Sequence, residues 1–173
     1  VCSSDLDFLS GKGLPLYFYG QNYGFSSLEV LSTSLFIKLI GGGVWALRFG
    51  GLFLFSIGLT FIWKSLIEGK VSLLISILSV LFFAMSPTWF LWGALVRGGY
   101  VTAFMCFGIL FYITLLKKMN WKWVMIAAVI SVIAYESQPL IFIPVLPFLF
   151  QWMLPFRLNF KKIIGFVFVF FSL

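Results

Sequence analysis

Histidine is absent from this chain, and its 173 residues include only two cysteines and five acidic side chains. Zinc sites and structural disulfides need histidine or paired cysteines, so both are excluded as organising features. Cys106 lies inside an apolar run, and Cys2 has no plausible partner. Any bound metal would therefore be a hard divalent cation, such as Mg²⁺ or Mn²⁺, held by carboxylates.

Charged residues of either sign are scarce, at 10% of the chain, whereas apolar residues make up 62% and the mean hydropathy is +1.10. A soluble domain of this size needs a polar surface that such a composition does not supply. The net charge of +7 is divided into short clusters between apolar runs, whereas nucleic-acid binding needs a continuous basic face. The composition predicts an integral membrane protein, in contact with membrane lipids and without a nucleic-acid partner.

Long apolar runs predict about six membrane spans over residues 44–173. A bilayer core of roughly 30 Å needs about 20 helical residues. The runs are bounded by charged residues, glycine or proline, and they cover residues 44–63, 71–86, 100–116, 123–135, 140–154 and 163–173. The predicted fold class is all-α, a polytopic transmembrane helical bundle.

Basic residues are concentrated in the loops after the first, third and fifth predicted spans. These loops hold Lys64, Lys70, Lys117, Lys118, Lys122, Arg157, Lys161 and Lys162. The positive-inside rule places them in the cytoplasm. The first loop at 7–43, the loop at 87–99 and the turn at 136–139 are then external. The protein is predicted to be a multi-pass protein of the cytoplasmic (inner) membrane, with its active face external or periplasmic.

Residues 1–6 match the peptide that a common sequencing adapter encodes, so we expect them to be foreign to the native protein. Residues 7–173 are then one partial transmembrane domain. Its first external loop contains a predicted helix at 27–40, with Leu28, Leu31, Leu35 and Leu39 on one face. This helix is shorter than the ~17 residues of the shortest spans, so it is predicted to lie on the membrane surface as an amphipathic helix.

Aromatic and turn-forming residues are dense just before this helix. Tyr17, Tyr19 and Tyr23 could stack on a sugar ring, and Gln21 could bond its hydroxyl groups. The same tyrosines also fit an aromatic belt at the membrane interface. The pattern therefore predicts either substrate binding or membrane anchoring.

Two carboxylates of the external loop are candidates for the chemistry. Glu29 could act as a general base or as a metal ligand, because a carboxylate can accept the proton of an attacking hydroxyl group. Ser26 and Glu29 also fit a capping box, in which each side chain bonds the other residue's amide. Asp7 is the rival base, and it could equally be a solvated loop residue.

Arg97 precedes two glycines at the start of the third predicted span. A guanidinium group can bind a phosphate through two parallel hydrogen bonds, and glycines allow close backbone approach. An arginine here could also extend to lipid headgroups. Glu136 could pair with Arg97, bind substrate, or end its helix as an ordinary carboxylate.

Four of these segments together carry a family resemblance. They are Tyr19-Gly-Gln-Asn-Tyr-Gly24, Ser27-Leu-Glu29, Ala46-Leu-Arg48 and Arg97-Gly-Gly-Tyr100. The pattern resembles the bacterial GT-C glycosyltransferases, in the branch related to protein mannosyltransferases and lipid A aminoarabinose transferases. The resemblance covers residues 14–100 and extends weakly to residue 147.

The resemblance implies an enzyme that moves a sugar from a polyprenyl-phosphate carrier to a lipid, glycan or protein acceptor on the outer side of the membrane. It implies an acidic catalytic residue in the first external loop, where Glu29 and Asp7 are the available matches. Arg97 would bind the donor phosphate, and Tyr19, Gln21, Tyr23 and Glu136 would contact substrate. No cofactor is required, although Mg²⁺ or Mn²⁺ could assist at the phosphate. A piece of such an enzyme would be inactive alone.

Two other functions are compatible with the same residues. A transporter or flippase for lipid-linked sugars would also need aromatic residues at the interface and an arginine, but transporters place charges near the midplane on broken helices. A membrane subunit without a catalytic site is the third alternative. The charges of this chain cluster at one interface, which favours chemistry at the membrane surface.

Overall fold

The computed structural model describes residues 3–14, 27–86, 99–115 and 121–139, together with positions 143 and 146. All regular structure in these residues is helical, so the all-α prediction is confirmed for them. The helices are α1 (Ser3–Leu9), α2 (Ser27–Ile40), α3 (Val44–Glu68), α4 (Leu73–Met85), α5 (Tyr100–Leu115) and α6 (Trp121–Ser137). Apart from those two positions, the predicted spans at 140–154 and 163–173 lie outside the described residues.

Helix α3 differs most from its prediction, because it continues past residue 63 to Glu68. Lys64 is therefore part of a helix and not of a loop. No glycine or proline interrupts the chain between Lys64 and Glu68, so nothing in this stretch ends the helix. By contrast, α2 has the predicted bounds, and α5 begins at the predicted residue and ends one residue earlier. Helices α4 and α6 differ from their predictions by one or two residues at each end.

The end of α3 is a Schellman motif. The N–H of Lys70 donates to the carbonyl of Ile67, and the N–H of Val71 donates to the carbonyl of Leu66, both at 3.0 Å. Lys70 occupies the left-handed position, with φ 59°, where glycine is the usual residue. This motif reverses the chain directly after Gly69 and leads it toward α4.

Length and composition make α3 the one helix in the described part of the chain that could cross a membrane alone. Its 25 residues span about 37 Å at 1.5 Å per residue. The apolar helices α4 and α5 are shorter. The described ranges therefore contain one candidate span that meets the length requirement.

Helix α3 is central, because it packs against α2, α4 and α5, while α5 also packs against α6. Phe55 stacks on Phe104 with ring centroids 4.7 Å apart, and Phe61 lies 5.6 Å from Tyr112. From the first contact to the second, the residue number increases on both helices. Helices α3 and α5 therefore run parallel, with their amino ends on the same side of the structure.

Two glycines bring the backbones of α3 and α5 together. A Cβ added at Gly108 would overlap the carbonyl oxygen of Gly58, and one added at Gly58 would lie 2.8 Å from Cδ1 of Phe104. Small residues at such crossings let helices approach to backbone contact, as they do in membrane helix pairs. The packing of α3 on α5 depends on the absence of side chains at both positions.

The surface polarity of α2 is the reverse of that of a helix on a soluble protein. Its polar side chains Ser27, Glu29, Ser32, Thr33 and Ser34 are buried, whereas Leu31, Leu35 and Leu39 are 40%, 49% and 68% exposed. The predicted leucine stripe thus faces outward, with Leu28 half-buried at its start. Helix α4 also exposes large apolar side chains, including Phe82 at 74% and Met85 at 76%.

Candidate functional site

Glu29 lies in the first turn of α2, and its side chain is fully buried. The buried face of α2 consists largely of small side chains, which allow a close approach to α3. A Cβ added at Gly50 of α3 would lie 2.8 Å from Cα of Thr33 in α2. This approach also brings the first turn of α2 to the amino end of α5.

The Glu29 carboxylate accepts two hydrogen bonds from α5. The backbone N–H and the Oγ1 hydroxyl of Thr102 both donate to Oε1 of Glu29, each at 3.3 Å, across 73 residues of sequence. The first amides of a helix have no partner within that helix, and they carry the positive end of its dipole. Glu29 therefore caps α5 from a different helix.

Burial raises the pKa of the Glu29 carboxyl group from 4.5 to about 7. Loss of solvation disfavours the charged form, and this is the larger effect. The amides of Thr102, Gly99 and Val101 and the Thr102 hydroxyl stabilise the carboxylate and limit the rise. A carboxyl group with a pKa near 7 can both accept and release a proton at neutral pH.

The second oxygen of this carboxylate, Oε2, is buried and has no hydrogen-bond partner within the described residues. The hydroxyl oxygens of Thr33 and Ser34, on the same helix, share this property. A buried polar atom without a partner costs free energy, so such atoms often mark a site for a ligand, an ordered water or a proton. Oε2 is the atom of Glu29 that could accept a proton while Oε1 remains bound to Thr102.

The predicted capping box concerned Glu29 and Ser26. Ser26 lies outside the described residues, so that contact remains a prediction. The carboxylate is shown to cap α5, which the sequence interpretation did not foresee. Glu29 therefore has a structural role, because it links α2 to the amino end of α5. This tertiary contact is additional to any cap that Glu29 forms on its own helix.

Asp7, the rival base, lies in α1 and forms an ion pair. Its Oδ1 atom is 2.8 Å from Nζ of Lys12, with the two side chains 23% and 69% exposed respectively. Helix α1 packs against α2, but Asp7 does not share the buried face that contains Glu29. The structure favours Glu29 over Asp7 as the carboxylate with unusual properties.

The other predicted site residues divide into two groups. Glu136 is exposed near the end of α6. Arg97, Tyr17, Tyr19, Gln21 and Tyr23 lie outside the described residues, so their place in the site and any pairing of Arg97 with Glu136 stay predictions. The described chain resumes at Gly99, which is buried and has φ +80°. Glu29 therefore contacts the helix that begins three residues after Arg97.

Thr102 is the site residue that the sequence interpretation missed. It is fully buried in the first turn of α5 and supplies both hydrogen bonds to Glu29. A threonine two residues after the Arg97-Gly-Gly-Tyr100 motif was the available signal, because hydroxyl side chains near helix starts often bond to acceptors there. Its partner could not be identified from local sequence.

A divalent cation does not fit the described part of this site. Mg²⁺ and Mn²⁺ prefer several oxygen ligands. No group of three or more histidine, cysteine or acidic side chains that could hold a metal ion occurs in the described residues. Glu29 contributes one carboxylate with one oxygen already bonded to Thr102.

No family model, curated protein or solved structure matches this chain.

Proposed function

We propose that this chain is part of a multi-span membrane glycosyltransferase of the GT-C type, which moves a sugar from a polyprenyl-phosphate carrier to an acceptor. The observation that carries the proposal is the buried Glu29 carboxylate, with a pKa of about 7, bonded to the amino end of α5. The Arg97-Gly-Gly-Tyr100 motif leads directly into that end. Two of the segments that resemble the family therefore approach each other.

In the proposed reaction, Glu29 accepts the proton of the acceptor hydroxyl through Oε2. The acceptor oxygen forms a bond to the anomeric carbon of the sugar, while the bond from that carbon to the phosphate oxygen breaks. Polyprenyl phosphate departs with the electron pair, and the guanidinium of Arg97 stabilises its charge. Because Glu29 is fully buried, the acceptor reaches Oε2 only when the packing around α2 opens.

We also propose that the chain is a multi-pass protein of the cytoplasmic membrane, with α2 on its external surface. The parallel arrangement of α3 and α5 supports alternate crossing, because residues 69–99, which include α4, connect the carboxyl end of α3 to the amino end of α5. The exposed apolar side chains of α2 and α4 would contact lipid. The positive-inside rule then places Glu29 and Thr102 near the external surface, and Glu68 at the cytoplasmic one.

Cysteine labelling in intact cells tests this orientation. A cysteine replacing Lys118 is expected to stay unlabelled by a membrane-impermeant thiol reagent until the cells are opened, because the basic loop is cytoplasmic. Replacement of Lys12, beside Asp7, provides the external control and should be labelled at once. Ready labelling of Lys118→Cys in intact cells would reverse the topology and remove Glu29 from the external side.

Arg97→Lys in the intact enzyme tests the transfer function. Lysine keeps the charge but loses the planar pair of donors, so transfer from a polyprenyl-phosphate sugar is expected to fall about 10–100-fold. Arg48→Lys is the matched control, since Arg48 is exposed in α3 and lies 5.4 Å from the Trp45 ring centroid. Absence of transfer by the unaltered enzyme, across a panel of such donors, would contradict the proposal.

A proton-coupled transporter for lipid-linked sugars is the second candidate. Buried protonatable carboxylates between helices are common in transporters, and the Glu29 carboxyl group matches that description. Reconstitution in vesicles separates the two functions. A transporter would move the intact lipid-linked sugar across the bilayer in response to a pH gradient, whereas the glycosyltransferase would release polyprenyl phosphate and form a new glycosidic bond.

A further inference from the structure

A cavity of about 440 Å³ lies at the carboxyl ends of α3 and α5, opposite the end that contains Glu29. It is lined by Trp63, Lys64, Ile67, Glu68 and Tyr112. Thr102 and Tyr112 are ten residues apart on α5, or about 15 Å along its axis. The cavity is therefore separate from the candidate active site, and what it binds does not depend on sugar transfer.

The charge of Glu68 destabilises the end of α3, so a structural role alone does not explain a carboxylate at this position. Glu68 is the last residue of α3, where the negative end of the helix dipole disfavours a carboxylate. The described residues offer it no ion pair, since the one ion pair found among them joins Lys12 to Asp7. Within the described residues, its charge is therefore not neutralised by a basic side chain.

Lys64 lies four residues before Glu68 on the same helix, but the two side chains do not form an ion pair. A lysine that precedes a glutamate by four residues is the weaker of the two possible orders for such a pair on a helix. Instead, Nζ of Lys64 lies 5.7 Å from the ring centroid of Phe61. The cavity thus presents one ammonium donor and one carboxylate acceptor that do not neutralise each other.

The remaining lining restricts the chemistry of a ligand. Trp63 and Tyr112 place an indole and a phenol ring beside the two charges. Aromatic rings attract cations, and they are the residues enriched at the level of lipid headgroups. A molecule with a phosphate and an ammonium group, attached to an apolar body, would complement each of these features.

We infer that this cavity binds the headgroup of a membrane glycerophospholipid whose phosphate is followed by a primary ammonium group. Lys64 donates to the phosphate, and Glu68 accepts from the ammonium group beside the two aromatic rings. A headgroup that carries only negative charge would leave Glu68 opposed by a like charge. A quaternary ammonium headgroup would keep the charge attraction but could donate no N–H bond to Glu68.

Native mass spectrometry of the whole chain in detergent, titrated with defined lipids, tests this inference. We expect phosphatidylethanolamine to bind about tenfold more tightly than phosphatidylglycerol, with phosphatidylcholine between them, as a charge-assisted hydrogen bond implies. Glu68→Gln should remove the preference. Lys64→Gln should weaken all three lipids, whereas Lys70→Gln, which removes a nearby charge outside the cavity lining, should weaken none.

Equal binding of the three lipids by the unaltered chain would overturn the inference, and this comparison does not depend on any variant folding. An unchanged preference in Glu68→Gln, with an unchanged thermal unfolding midpoint, would overturn it as well. Preference for phosphatidylglycerol would show that the basic side chains dominate and that Glu68 has no role.

Discussion

Glu29→Gln is expected to reduce sugar transfer by the intact enzyme about 10²–10⁴-fold, the range attributable to a general base. Glutamine has almost the same shape, and its carbonyl oxygen can still accept both hydrogen bonds from Thr102. It cannot accept the proton of the acceptor hydroxyl. Initial rates with a radiolabelled polyprenyl-phosphate sugar measure the loss, with Asp7→Asn as the matched control that should keep nearly full activity.

The Glu29→Gln variant also tests how Glu29 contributes to the free energy of unfolding at different pH values. Because the folded pKa of Glu29 lies above its unfolded value, folding favours the protonated form. The stabilisation of the folded state by protonated Glu29 is fully present below pH 4.5 and is lost as the pH rises to about 7. The corresponding change in the free energy of unfolding is about 3 kcal/mol. Glu29→Gln should remove this pH dependence and unfold at a higher temperature at pH 8.

The transfer rate and the thermal stability of Glu29→Gln, measured together, distinguish a catalytic role of Glu29 from a structural one. Loss of transfer with retained or increased thermal stability identifies the carboxylate as part of the chemistry. Full activity of Glu29→Gln would show that the Glu29 carboxylate only caps α5. If Asp7→Asn were also fully active, neither carboxylate of the first external loop would take part in the reaction. Loss of stability at pH 8 would contradict the pKa argument.

Gly108→Ala is expected to destabilise the helix bundle by about 1–3 kcal/mol, as overpacking of a close contact does. The added methyl group overlaps the carbonyl oxygen of Gly58, and this is backbone that cannot rotate away. Thermal unfolding in detergent should show a midpoint lowered by about 2–4 °C for each kcal/mol.

Gly42→Ala is the matched control for that substitution. A Cβ at Gly42 has no atom within 4 Å, so the unfolding midpoint should remain the same or rise slightly. If Gly108→Ala unfolded at the temperature of the unaltered chain, the close crossing of α3 and α5 would be incorrect. The parallel arrangement, which is deduced from the ring contacts between the same two helices, would then lose support as well.

Helix positions could be predicted from the sequence to a large extent. Gly41, Gly42 and Gly43 separate α2 from α3, and the apolar runs are long enough for periodicity and length to define the helices. The apolar run predicts that α3 ends at residue 63, before Lys64, whereas the helix continues to Glu68. Charge alone does not end a helix, and Gly69 does so with the left-handed Lys70.

The contacts within the site could be predicted much less well. Glu29 and Thr102 are 73 residues apart, and their pairing depends on three helices packing correctly. Sequence spacing indicated that Glu29 begins a helix, but it gave no information on which amides the carboxylate would reach. The approach of Gly58 to Gly108 was hidden for the same reason, since Gly58 is one of three glycines in its apolar run and nothing local pairs it with Gly108.

The bond between Glu29 and Thr102 also sets an order of events during biosynthesis. Helix α2 leaves the ribosome well before α5, so Glu29 has no partner when it first appears and stays ionised in water. Its burial must wait until α3, α4 and the first turn of α5 are in place. The contact therefore cannot form before residue 102 has been made, and a nascent chain stopped before that residue would keep Glu29 open to solvent.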